Sequence, residues 1–138
     1  MAGWREVAAV AAGGVIGTGL RLTLDTVIPH TDTEFPLSTL LINVLGSLVL
    51  GVLVATVWRR AHTPNWLKVG LGTGTVGSFT TFSALIVSLI AQAHNGLWML
   101  AMLYLVSSLV LGFGAALLGL SLGRRPRPTP LEIDMVDE

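Results

Sequence analysis

Four long apolar runs, separated by short polar segments, make up most of the chain. They fall at about Trp4–Leu24, Pro36–Trp58, Trp66–Ala93 and Leu97–Gly123. A helix needs roughly 20 apolar residues to cross a hydrocarbon core about 30 Å thick, and each run is long enough. The pattern predicts an all-α membrane protein of four transmembrane helices, with residues 1–123 as one membrane unit. Trp4, Trp58, Trp66 and Trp98 lie near the proposed span ends, where aromatic belts form at the headgroups. The third run differs from the others. Between Val69 and Gly123 there is no Asp, Glu, Lys or Arg, yet Gly70, Gly72, Gly74 and Gly77 there alternate with Thr73, Thr75, Ser78, Thr80, Thr81 and Ser83. Irregular backbone survives in hydrocarbon only where protein or a wet cavity surrounds it. A span interrupted in this way predicts a broken third helix with a buried ion or substrate site at the break.

Composition agrees with the membrane class: the chain has 138 residues, 52% of them hydrophobic and only 12% charged. The first run carries Glu6 beside Arg5, lacks a clear cleavage site and is expected to be retained as a span. There is no cysteine, which excludes disulfides and thiolate metal sites. The basic residues are lopsided. With four spans, Arg5, Arg59, Arg60, Lys68, Arg124, Arg125 and Arg127 share one side, and Arg21 alone falls toward the other. The positive-inside rule then predicts both termini in the cytoplasm of a cell whose inner membrane the chain crosses. The stretch 124–138 alternates Arg and Pro before turning acidic, and reads as a disordered cytoplasmic tail.

The polar residues inside the spans are the candidate site. Asn43 lies mid-span, where an amide must be hydrogen-bonded or face water; it is either glue between helices or a donor to a permeating anion. Ser38 and Thr39 lie a turn earlier and extend the polar line. Tyr104 and Ser108 are four apart and share a helix face. Ser107 and Ser108 have the simpler alternative of bonding back to their own helix carbonyls. Arg21 is either a snorkelling anchor or a vestibule charge that concentrates anions. Most span glycines, such as Gly13, Gly17, Gly19, Gly51, Gly114 and Gly119, suit close helix packing. His30, His62 and His94 fall in loops with no metal-ligand spacing, and Gly70–Gly77 lacks the Lys-Ser/Thr ending of a phosphate loop. With a net charge of zero and juxtamembrane basic residues, nucleic acid is not an expected partner.

These motifs resemble the bacterial fluoride channel family, Fluc or CrcB. The resemblance rests on Gly13-Gly14-x-x-Gly17-x-x-x-Arg21, Phe35-Pro36-x-x-Thr39-x-x-x-Asn43-x-x-Gly46, Gly74-x-x-Gly77-x-x-Thr80-Thr81-Phe82-Ser83 and Tyr104-x-x-x-Ser108-x-x-x-Gly112. They cover all four spans in order. The resemblance implies an antiparallel dimer of four-helix subunits with two pores. It implies a structural, untransported Na⁺ held by the carbonyls of Gly77 and Thr80. It also implies a passive route for the fluoride ion lined by Thr39, Asn43, Phe82, Ser83, Leu85, Tyr104 and Ser108, with Arg21 at the vestibule. Fluoride holds its water tightly, so N–H and O–H donors and the positive edge of a phenyl ring must replace that water. Passive export lowers the toxicity of fluoride that enters a cell as HF.

Two features depart from the family pattern. Leu85 stands where a second phenylalanine is usual, and leucine has no polar edge; Ser38 stands where glycine is usual. The charge bias also differs from members that insert both ways as homodimers. It favours a dimer with an oppositely oriented paralogue over a dimer with itself. Other classes fit these residues less well. A small proton-coupled multidrug exporter needs a membrane-embedded carboxylate, which the proposed spans lack (Glu6 is marginal). A non-conducting assembly subunit would use the same polar residues only as glue. An enzyme is not expected, for want of cysteine, acid and a placed histidine.

Overall fold

The computed structural model describes residues 3–124. The tail expected from residue 124 onward therefore lies, except for Arg124, outside the described residues. Within them the chain is all-helical, and four helical stretches are long and apolar enough to cross a membrane. Helix α1 spans Trp4–Val27 and α2 spans Leu37–Thr56. The third span is composite: α3 (Asn65–Val69), a π-helical segment (Gly70–Val76), α4 (Gly77–Phe79) and α5 (Phe82–His94). Helix α6 spans Trp98–Leu122.

The first helix runs further than the apolar pattern, to Val27 and not Leu24. Thr23 and Thr26 hydroxyls donate to the carbonyls of Gly19 and Thr23 and satisfy the backbone of these last turns. Arg21 and Asp25 are therefore one turn apart on α1, and Asp25 joins the helix that the sequence pattern ended before it. Pro64 is the N-cap of α3, and its carbonyl accepts the Leu67 N–H at 3.1 Å. Gly96, at φ 73°, makes the tight turn from α5 into α6. Leu97 N–H closes that turn on Gln92 O at 2.8 Å.

Two seams of small residues hold the bundle. Helix α2 packs on α6 along Gly51 and Gly119, where an added Cβ would run into Ala116 O and Leu48 O of the facing helix. Helix α1 packs on the π-helical segment along Gly13 and Gly17, which face the carbonyls of Gly70 and Thr75 just as closely. Such approaches supply the dispersion contacts that drive helix association in lipid. Gly19 and Gly114 differ from that expectation: nothing lies within 4 Å of a Cβ at either, so they face away from the subunit. A compact core of Leu40, Leu85 and Tyr104 forms among α2, α5 and α6, edged by Phe35, Val44, Ile86, Leu89 and Leu105. Large apolar side chains elsewhere point outward, as hydrocarbon solvent allows.

Candidate functional site: a helix interruption closed by an asparagine

The glycine-rich stretch produces backbone that departs from the α ladder twice. From Gly70 to Val76 the chain is π-helical, a form that holds one surplus residue per turn and concentrates at functional sites. Glycines here let α1 approach; a Cβ on Gly74 would stand 2.9 Å from Val10 O. Then Thr80 (φ −75°, ψ 155°) and Thr81 (φ −147°, ψ 121°) are extended between α4 and α5. Thr81 also caps α5, its hydroxyl accepting from Ala84 N–H at 3.2 Å and lying 3.2 Å from Ser83 Oγ.

Asn43 of α2 meets this point. Its Oδ1 accepts the Thr81 N–H at 2.8 Å, and its Nδ2 donates to Thr81 O at 2.9 Å. The amide is thus engaged at both ends with a single residue of another span. One Nδ2 proton is held by Thr81 O, and the other is not needed for that pair. Thr80 N–H and Thr80 Oγ1 both donate to Val76 O at 3.0 Å. A cavity of about 300 Å³ opens beside these groups, lined by Asn43, Gly46, Ser47, Gly77, Thr80, Thr81 and Phe82 among others. Ser47 was not singled out from the sequence. Its position four residues after Asn43, on the same face of α2, was the available signal.

The remaining candidates divide between that cavity and the core. Phe82 is 75% exposed, with Ser83 exposed beside it. Leu85 is only 6% exposed and packs in the core with Tyr104, away from the open side of α5 where Phe82 stands. Tyr104 is fully buried; its ring meets Phe35 edge-on, with centroids 5.5 Å apart and planes at 82°. Its hydroxyl makes no hydrogen bond, with the hydroxyls of Thr39 and Ser108 beside it. Ser107 and Ser108 do bond back to their own helix, donating to Leu103 O at 2.6 Å and Tyr104 O at 2.8 Å. Ser108 therefore has only its oxygen lone pairs free. Arg21, half-buried on α1, is not among the residues lining the cavity by the break.

The loop from α1 to α2 is pinned at its polar residues. Ser38, fully buried, lies 3.2 Å from His30 Nδ1, and Gln92 donates to Glu34 O at 3.1 Å. The Thr31 backbone N–H, 2.8 Å from Glu34 Oε2, holds that carboxyl below its ordinary 4.5. Among the described residues no group of three or more His, Asp or Glu side chains is placed to hold a metal.

A four-span membrane protein with polar groups gathered at an interruption of its third span is a channel- or transporter-like architecture. The chain belongs to the family described as CrcB-like protein, Camphor Resistance (CrcB), whose model matches residues 8–120. It is 38% identical over 119 residues to a protein of Methylobacillus flagellatus named fluoride-specific ion channel FluC, covering 85% of this chain and 93% of that one. It is 40% identical over 117 residues to FluC 2 of Halalkalibacterium halodurans, covering 83% of each. With FluC 1 of Mycobacterium bovis it shares 36% over 124 residues, covering 90% of this chain and 94% of the relative.

Proposed function

We propose that the chain is one subunit of a fluoride-specific ion channel that lets F⁻ leave the cell passively. The observation that carries this reading is the likeness, over most of the chain, to relatives named as fluoride channels. A polar site at an interrupted span supports it from the chemistry. The pore of this reading is lined by Thr39, Asn43, Phe82, Ser83, Leu85, Tyr104 and Ser108. The spare Nδ2 proton of Asn43 and the unbonded phenol of Tyr104 are its best donors, since both are polar hydrogens without a committed acceptor. Phe82, exposed at the cavity rim, offers a ring edge to an anion. Leu85 contributes by holding Tyr104 in place. Arg21 serves as the vestibule charge.

In this reading two subunits pair in opposite orientations and a Na⁺ lies between them. The residues fit such an ion. Thr81 N–H, which a continuous helix would give to Gly77 O, is engaged by Asn43, and Thr80 N–H is engaged by Val76 O. Gly77 O is left without those donors, and both Gly77 and Thr80 line the cavity. A hard cation takes such carbonyl oxygens as ligands. When bound, the ion supplies charge and cross-subunit bonding. The concentration of Lys and Arg at one end favours a subunit with cytoplasmic termini in the inner membrane, paired with an oppositely inserted paralogue.

The test is fluoride efflux from loaded liposomes, read with a fluoride-selective electrode, for the chain alone and with its paralogue. Efflux of F⁻ without Cl⁻ is expected. A protein that passes no ion in either pairing returns the chain to the non-conducting assembly class. Proton-driven drug efflux would make it an exporter.

A further inference from the structure

We propose that Asn43 is the positioning residue of the interruption: its amide takes Thr81 out of the helical ladder and so keeps the Gly77 carbonyl free as an oxygen ligand. The use of that carbonyl for a cation rests on the reading above; the positioning does not. In a continuous α-helix the N–H of residue 81 would close on the carbonyl of residue 77. Here that N–H goes to Asn43 Oδ1 at 2.8 Å, and Asn43 Nδ2 returns a bond to Thr81 O at 2.9 Å. One side chain from another span thus satisfies both backbone groups of the extended residue. Hydrocarbon tolerates such a residue only when those groups are partnered.

Nearby residues are shaped to this contact. Gly46, one turn after Asn43, leaves room for the Thr80 methyl, which an added Cβ would strike. Thr81 keeps its hydroxyl for capping α5, so its backbone is left to Asn43. Simple glue between helices could be removed without changing the ladder around Thr81. A positioning residue cannot, because its loss returns the Thr81 N–H to Gly77 O.

Thr80–Thr81 is the only Thr-Thr pair in the chain. In protein labelled with ¹³C,¹⁵N-threonine, one carbonyl-to-nitrogen correlation therefore reports the Thr81 N–H alone. Asn43→Ala is expected to move this resonance to helical values while its amide stays protected within about threefold of the parent, because the bond to Gly77 O replaces the one lost. The sodium concentration that holds two subunits together should rise by about tenfold, the size of one net hydrogen bond now taking up the Gly77 carbonyl. Asn43→Asp keeps the acceptor and loses the donor, so its Thr81 amide should exchange within about threefold of the parent, a difference small beside one hydrogen bond. An unmoved Thr81 resonance in Asn43→Ala overturns the proposal. So does an Asn43→Asp protein whose Thr81 amide exchanges as fast as an unstructured one, which keeps the idea testable if the alanine variant fails to fold. A parent protein indifferent to sodium, with Thr81 still responding to Asn43, overturns the cation reading and leaves the positioning intact.

Discussion

Phe82 and Leu85 are three residues apart on one helix and have opposite surroundings. Phe82 is 75% exposed in the subunit, so Phe82→Ile should leave the fold intact and abolish most fluoride flux from a co-expressed pair. Full flux after that change would remove the ring from the pore. Leu85 is buried against Tyr104, and Leu85→Ala should lower stability by about 2 kcal/mol or more through a cavity, read as a lower thermal midpoint in detergent. Gly77 is less demanding than its place in the glycine run suggests. Its backbone is ordinary right-handed helix, and a Cβ would meet only Gly72 O at 3.4 Å. Gly77→Ala is thus expected to fold, with any loss confined to the sodium response. Glu34 carries the pH dependence of the loop. Its carboxyl titrates below the ordinary value, so the Thr31–Glu34 bond stabilises the folded loop above the unfolded pKa and is lost as pH falls through the folded one. Exchange of the Thr31 amide against pH should follow that loss, and Glu34→Gln should abolish it.

At the scale of elements, α2 is the organiser. It carries Asn43 on one face and Gly51 further along, against α6. Gly51→Leu or Gly119→Leu should force α2 and α6 apart and cost about 1–3 kcal/mol, whereas Gly19→Ala and Gly114→Ala should cost the subunit little. Thermal midpoints of the four variants check this, and equal losses in all four would remove the seam from the account. The four helices were legible because hydropathy and length suffice for spans. The alternation of glycine with threonine marked where backbone would be irregular. It carried no information on hydrogen-bond register, so the π-helical form of residues 70–76 was not foreseeable. Nor was the pairing of Asn43 with Thr81. The two are 38 residues apart, and a side chain bonded to backbone constrains no residue type at its partner. Asp25 fell beyond the first span because the apolar run ends at Leu24, yet threonine back-bonding carries α1 on to Val27.

For the whole molecule, the proposed orientation and pairing rest on the one-sided Lys and Arg and are open to direct test. A reporter at the C-terminus active only in the cytoplasm should give signal, and one active only outside should give none. Comparable signals would restore a homodimer that inserts both ways. Single-channel records of the pair should show one conducting level, since Leu85 stands where the family pattern has a second phenylalanine and offers no ring edge to one of the two proposed pores; two equal levels would show that both pores conduct without that ring. The contact between Asn43 and Thr81 also sets an order of events during biogenesis. The latch and its target lie on different spans, so the third span must enter the lipid before the second can grip it. Alone, a peptide of residues 64–95 has its own Gly77 carbonyl as the nearest acceptor for the Thr81 N–H. It should therefore form one unbroken helix in bilayers. The interruption would then be acquired late, when two neighbours first touch, and a newly inserted chain would pass through a sealed form before it becomes a working one.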